Sequence, residues 1–515
     1  MSNYKLLIDT NVFIGLEDAK LIDFGFSDFY RGCLQHKVSM FVHEAAIEDI
    51  SRDKDINRRQ ISLSKLQKFE KITGVRLPTR TELENKFGRI HKVNDEVDVR
   101  LLFTLESGVV DFLVTQDQGI HDRVKHSTLN KRVLRISDAL VWLRQTFEPT
   151  AVKLPLVAEK KAHEIDITDD IFDSLRDGYD SFDQWWQQKC IREHRSCWVI
   201  EFGSELAGIC VRKDELRHEA TVQFPGDKIL KICTFKVKPK FRGEKLGELL
   251  LKQALWFAQR NAYQLIYVTT QPNQAYLIQV LEYYGFQHTI TLPKNECVFE
   301  KRLSTDRLTN RTEEEVFSTD RLNYPRFVLD DSVSAYCVPI KGSYHRKLFP
   351  EIAFQASLPL FPEHINYQSR GDAPRTPGNT IRKVYICRAN ITHLCPGDVL
   401  FFYESKSPGF VASQCITSVG VLEAVNSTND IDQLIRLTAK RSVFSEIELK
   451  EMLDGNISPV KILDFLLMGH LEPPMSLSDL VSSGVFGSRP PQSICQIDPS
   501  KIGPLKSRMN FGFNL

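Results

Sequence analysis

Over the first 150 residues, short apolar runs alternate with stretches whose apolar residues recur every three or four positions. LLIDTNVFIG (6–15), MFVHEAAIEDI (40–50) and VDFLVTQDQGIH (110–121) read as buried strands running into helices, and NDEVDVRLLFTL (94–105) reads as a helix. The alternation predicts a layered α/β domain over 1–150. A second α/β block runs over 151–303 and ends in VFEKRL. The polar stretch 304–324, which carries STDRL twice, reads as a linker. From 325 to 515 the pattern shifts to strand-like runs, KVYICR (383–388), DVLFFYES (398–405) and SVGVLEAV (418–425). These predict a small barrel or strongly bent sheet with helical insertions.

At 515 residues the chain exceeds what one core organises, so an α/β multidomain protein is expected. Lys+Arg number 67 against 66 Asp+Glu, so any nucleic-acid role must come from local patches. No stretch approaches the roughly 18 apolar residues of a membrane span, and the N-terminus lacks a basic, then apolar, leader. A cytoplasmic protein with no membrane partner is expected. The 11 cysteines include no C-x-x-C pair, which argues against zinc and a disulfide framework and fits a reducing compartment.

Asp9 ends the first apolar run and Asp117 ends another, so both fall beyond the C-terminal ends of expected strands, the edge where open α/β sheets bind ligands. Asp95 and Asp98 are three apart on one helical face, and Glu48 and Asp49 open another helix. Gathered carboxylates repel unless a cation joins them. Oxygen donors without His or Cys select Mg²⁺ or Mn²⁺, which can activate water for attack on a phosphodiester. Thr10 and Thr115 are placed to orient such a site. Residues 51–92 carry twelve Lys/Arg against five Asp/Glu, a net of +7, suited to holding a phosphate backbone.

IDTNVF, the acidic helix after MFVHE, the NDEVD helix and LVTQD together resemble the PIN-domain nucleases over about residues 5–145. The resemblance implies an α/β/α sandwich and a metal-dependent, single-strand-selective ribonuclease. It assigns Asp9, Asp95 or Asp98, and Asp117 to three of the four acidic stations as catalytic residues and metal ligands. The remaining station falls to Asp49 or Glu48.

In the second block, ILKICTFKVKPKFRGEKLGELLLKQALWFAQR (229–260) predicts a strand, a Gly-containing turn and a helix buried along Leu246, Leu249, Leu250, Ala254 and Phe257. Small residues at such a turn let backbone amides approach a pyrophosphate at a helix N-terminus. With LIYVTT and QPNQAYLIQVLEYYGF following, the block resembles the Gcn5-related N-acetyltransferases (GNAT) over about 165–303. That implies acetyl-CoA binding by Val237, Arg242, Gly243, Glu244, Lys245, Leu246 and Gly247, and acetyl transfer to an amine. Lys245 stands where the family has its central glycine, and Leu281 where many members carry a tyrosine acid; Tyr276, Tyr283 and Tyr284 are the available substitutes. Trp185 and Trp186 read as packing residues more readily than as acceptor contacts.

In the third block, PGDVLFFY (396–403) resembles the turn-strand signature of PUA-like folds, which include ASCH and EVE domains. The resemblance implies a β-barrel with RNA or modified-base contacts, for which Lys341, Arg346, Tyr403 and Lys406 are candidates. The combined expectation is a metal-dependent ribonuclease coupled to an acetyl-CoA-dependent N-acetyltransferase. It would act on RNA, plausibly tRNA, as a bacterial toxin or defence effector with an antitoxin or a second copy as partner. The alternatives are an acetyltransferase with a non-catalytic PIN-like domain and a non-enzymatic RNA-binding regulator.

Overall fold

The computed structural model describes residues 4–15, 24–51, 56–75, 78–147, 157–179, 181–203, 205–241, 244–293, 295–308, 316–355, 380–406, 413–439, 441–454 and 459–515. They form two compact units. One is made mainly of Met1–Thr150 and Thr428–Ile457, the other mainly of Ala151–Phe241, Lys245–Ser427 and Ser458–Leu515.

The first unit is built on a parallel sheet of β1 (Lys5–Ile8), β2 (Ser39–His43), β3 (Glu70–Ile72), β4 (Phe112–Val114) and β5 (Val133–Leu134), in the order β3-β2-β1-β4-β5. Leu6, Leu7 and Ile8 are buried, as are all of β4 and β5, because helices cover both faces of a parallel sheet and leave no polar side. The chain leaves β1 toward β2 and leaves β4 toward β5, in opposite directions, so the crevice beyond β1 and β4 is the switch point of the sheet. Residues from 428–457, which the sequence pattern places in the third block, complete this unit. Arg436 Nη2 lies 2.6 Å from Asp111 Oδ1, and Ile435 and Phe444 border a small cavity with Trp142.

The second unit holds two sheets. The first contains β6 (Val157–Lys161), β7 (Ser196–Phe202), β8 (Glu205–Leu216), β9 (Lys228–Val237), β10 (Leu265–Thr270), β11 (Gln287–Leu292) and β12 (Glu296–Arg302), in the order β11-β12-β10-β9-β8-β7-β6. Every neighbouring pair is antiparallel except β9 and β10. The helix Leu246–Arg260 packs on one face, and the helical segment 162–191 packs on the other through Phe172, Phe182 and Trp186.

The second sheet contains β13 (Ala335–Ile340), β14 (Arg382–Cys387), β15 (Val399–Glu404), β16 (Cys415–Thr428), β17 (Val460–Ser476) and β18 (Cys495–Ile497), in the order β14-β17-β16-β15-β13-β18. Among the described residues no pairing joins β14 to β18, so the expected barrel is instead an open sheet. One continuous core runs from Trp198, Leu250 and Leu255 through Tyr324 and Phe327 to Phe401, Met468 and Phe511, so the second and third blocks share an interior.

The described end of the polar stretch between those blocks, residues 316–324, is part of that interior. Val316–Leu322 is helical, Asp320 is buried, and the Lys301 ammonium donates to the carbonyls of Tyr284 (2.6 Å) and Leu322 (2.7 Å). Burial pushes Lys301 down to about 7. Gly285, at φ +84, lets the Leu322 carbonyl pass where a Cβ would stand.

The helix Leu246–Arg260 is stitched to the second sheet and the segments around it by a stripe of residues three or four apart. Glu248 Oε1 accepts from the amides of Ile381 (2.8 Å) and Arg382 (3.2 Å). Lys252 pairs with Glu351, and Trp256 Nε1 donates to the Tyr324 hydroxyl at 2.7 Å, which donates on to Leu467 O. Gln259 Nε2 donates to the carbonyls of Ser304 and Gly512.

Candidate functional site

The parallel pairing of β9 and β10 stops at Ile232↔Val268, although β9 runs on to Val237 and β10 to Thr270. The cause lies on the other side of β9. The β8 register shifts between Val211 and Arg212, so Cys233 is an extra residue that bends β9 away from β10. The two strands therefore part at their C-terminal ends and leave a wedge in which β9 beyond Ile232 no longer pairs with β10.

That edge leads directly into the turn and helix singled out in the sequence. Lys245 sits at φ 57, ψ 23, the left-handed conformation. A lysine thus holds the backbone shape that glycine adopts most readily, at a cost of about 1–2 kcal/mol. Leu246, Gly247 and Glu248 follow as the first helical residues, whose amides have no intrahelical partner by helix geometry. Gly247 lies close on Phe235 and Val237, where an added Cβ would stand 3.7 and 3.9 Å away. Glu244 is half-buried; Arg242 and Gly243 lie outside the described residues.

Leu281 is buried. Tyr284 is buried with its hydroxyl on Glu248 Oε1 at 3.3 Å, and burial, reinforced by Glu248, pushes it well above the usual phenol range. The Tyr283 ring has the Arg321 and Arg382 guanidinium groups at 4.6 and 5.0 Å, and its hydroxyl lies 3.5 Å from Glu423. Both tyrosines serve the joint between the sheets. Tyr276 is 47% exposed. Trp186 is fully buried and Trp185 packs against it with Arg195 over its ring, so both are packing residues.

Tyr179 and Glu296 carry no local signal, being 117 residues apart, yet the Tyr179 hydroxyl donates to Glu296 Oε1 at 2.9 Å. Gln271 Nε2, just past β10, donates to the same oxygen at 3.3 Å.

In the first unit, three of the sequence-selected acids converge at the switch point. Asp9 is buried beyond β1; its carboxylate accepts from Thr10 N (2.7 Å), Thr10 Oγ1 (3.1 Å), Asn11 Nδ2 (2.8 Å) and Thr115 Oγ1 (2.5 Å). Burial pushes it up to about 6 despite these donors, with Asp117 adding to the rise. Asp98 is pushed up to about 7 by burial and by the charges of Asp117 and Asp9. Asp117 caps the helix Gln118–Arg123 through Gly119 N (2.6 Å) and Ile120 N (3.3 Å).

Asp95 and Glu48 do other work. Asp95 accepts from the amides of His91 (2.7 Å) and Lys92 (2.9 Å) and lies 3.2 Å from Arg123, which together hold it below the usual range. It caps its own helix. Exposed Glu48 pairs with Arg100 at 3.3 Å. The Asp49 side chain lies outside the described set. Among the described residues, no group of three acidic, His or Cys side chains is close enough to hold a metal ion. Asp98 and Asp117 are the carboxylates whose oxygens are least committed, while the two Asp9 oxygens already take four bonds.

In the third block Tyr403 is buried against Phe486, so it cannot stack on a base. Every residue of β15 is buried, and Lys406 is exposed because it lies beyond the strand's end. Lys341 is exposed, and Arg346 lies 3.6 Å from Glu404. No described helix is long and apolar enough to cross a membrane.

Residues 160–286 match the acetyltransferase (GNAT) family, so this part of the chain is a GNAT acetyltransferase domain. No curated protein matches the chain. Among solved structures, it is similar to a GNAT family acetyltransferase from Elizabethkingia anophelis with acetyl-CoA bound (15% identity, 29% of this chain and 98% of that one, TM-score 0.23). It is also similar to an IAA acetyltransferase from Bacillus cereus (14% identity, 29% and 100%, TM-score 0.23). An ASCH protein from Zymomonas mobilis is similar at 16% identity over 34% of this chain and 94% of that one, with a TM-score of 0.23.

Proposed function

We propose that the second block binds acetyl-CoA and transfers its acetyl group to an amine. The observation that carries this reading is the wedge between β9 and β10, which empties onto the left-handed turn at Lys245 and the helix N-terminus at Leu246. The β9 amides and carbonyls beyond Ile232, where pairing with β10 has ended, suit the amide groups of a pantetheine arm, and the helix amides suit a pyrophosphate. Calorimetry with acetyl-CoA tests it: absence of binding at millimolar cofactor defeats the reading. Lys245→Gly keeps the left-handed turn and should retain binding. Lys245→Pro, locked near φ −65°, should lose it in the same titration.

A second reading, for the first unit, is favoured by Asp9, Asp98 and Asp117 gathering beyond β1 and β4. On this reading it is a Mg²⁺- or Mn²⁺-dependent ribonuclease, with the ion held by Asp98 and Asp117 beside Asp9. The ion would supply a polarised water. RNA, including tRNA, is the substrate, and a toxin or defence role with an antitoxin or a second copy as partner would follow. Mn²⁺-dependent cleavage of total RNA should disappear in Asp9→Asn and in Asp117→Asn; equal cleavage by wild type and both variants would sink it.

A further inference from the structure

The segment Asp173–Tyr179 spans the mouth of the wedge. At one end Ser174 Oγ accepts from Lys236 near the end of β9. At the other, Tyr179 reaches Glu296, the first residue of β12, whose neighbour Cys297 pairs with Thr270 at the end of β10. One stretch of chain thus ties β9 to the start of β12, the strand that flanks β10, and the carboxylate on that side is Glu296. Its Oε1 is fixed by Tyr179 and Gln271. Its Oε2 accepts no hydrogen bond among the described residues and is the oxygen left to meet an incoming donor. Tyr179 is 42% exposed, so the trio is open to solvent. The chain around it is acidic: residues 164–183 hold eight Asp/Glu and a single Arg. Arg176 pairs with Asp173 and Asp183, and Lys238 with Asp169 and Asp170, so two cations serve four of these acids and the excess charge is negative, which favours a cation over a phosphate backbone.

Building on the acetyltransferase reading, we propose that Glu296, positioned by Tyr179 and Gln271, receives the ammonium group of the acetyl acceptor, which is a cationic primary amine and not a nucleic acid. The Glu296 carboxylate takes one ammonium proton. The freed nitrogen lone pair forms the N–C bond at the thioester carbonyl, and the C–S bond breaks as the adduct collapses. The second proton lost by nitrogen goes to the departing thiolate, giving CoA thiol and the N-acetyl amine, and Glu296 returns its proton to solvent. Tyr179 and Gln271 are positioning residues that hold Oε1 so that Oε2 faces the amine.

Full-length protein, Glu296→Gln and Tyr179→Phe are to be assayed with acetyl-CoA against spermidine, a blocked lysine peptide and total RNA, with acetyl-CoA affinity measured separately by calorimetry. Wild type should acetylate spermidine or the lysine peptide, the preferred arm identifying a polyamine or a protein side chain as the source of the amine. Glu296→Gln should lower kcat/KM by about tenfold or more, the loss expected when a charged hydrogen-bond partner is removed, with acetyl-CoA affinity unchanged. Tyr179→Phe should raise KM more than it lowers kcat. Three results overturn the proposal while leaving the parent reading intact: acetyl-CoA binding without acetylation of either amine, acetylation of RNA alone, or Glu296→Gln kinetics equal to wild type. Failure of wild type to bind acetyl-CoA overturns both.

Discussion

Lys252→Met should lower the unfolding free energy by about 3 kcal/mol, the low end for breaking a buried pair by removing one partner. Lys252 is only 3% exposed, and its ammonium meets Glu351 inside the shared core. Burial opposes ionisation of Glu351, yet Lys252 and then Lys383 outweigh it and hold the carboxyl at about 2. Methionine keeps the length and apolar stem of lysine but removes the carboxylate's paired cation, leaving only the weaker pull of Lys383 and His470, with Oε2 enclosed and without a hydrogen bond. Lys252→Met/Glu351→Leu should recover most of the loss, because replacing both charges removes the desolvation problem. A urea midpoint measured for the three proteins decides the matter. Lys252→Met unfolding with wild type would show that the pair contributes nothing. Because the folded pKa of Glu351 lies below its unfolded value of about 4.5, the stabilisation is present above that pH. It is lost as pH falls toward 2, and the single variant should show a shallower acid limb, the part due to Lys383 remaining.

The second large effect has the opposite sign. Asp98→Asn should stabilise the first unit at pH 8, in chelator, by about 2 kcal/mol after allowing for solvent screening of a half-buried group. The folded pKa of Asp98 is raised to about 7 and that of Asp9 to about 6. Groups raised in this way stabilise the fold below their unfolded value near 4 and lose that contribution as pH climbs through 6 to 7. Wild type should therefore weaken between pH 4 and 8, and Asp98→Asn should flatten the curve while matching wild type near pH 4. Asp98→Asn less stable than wild type at pH 8 would mean that the carboxylate repulsion is already relieved by other contacts.

Periodicity in the sequence was enough to place Asp9 and Asp117, because a strand end is a one-dimensional feature and both acids follow apolar runs. It was also enough for the strand, turn and helix around Lys245. Choosing between Asp95 and Asp98 was beyond it: both share a helical face, and only the backbone amides of His91 and Lys92 reveal that Asp95 caps the helix. Tyr283 and Tyr284 were legible as aromatics, but not as partners of Arg382 and Glu248, since the first contact joins separate sheets and the second joins two helices 36 residues apart. Lys252 looks like any solvent-facing residue of an amphipathic helix until a second sheet covers that face. The Tyr179–Glu296 bond spans 117 residues and leaves no spacing to detect. The open form of the last sheet depends on which edge strands pair, a property of three-dimensional register that local alternation does not encode.

The stretch between β16 and β17 leaves its sheet at Thr428, contributes the helices Ile431–Thr438 and Glu446–Leu453 to the first unit, and returns at Val460. A nascent chain therefore cannot finish its N-terminal unit when residue 150 emerges; it waits until about residue 457 has been made. At ~5–20 residues per second, that delay is roughly 15–60 s, during which the faces bordering Trp142 stand uncovered and open to chaperones. For the same reason a protease that nicks the chain near residue 150 does not by itself set the N-terminal unit loose, because residues 428–457 remain part of it.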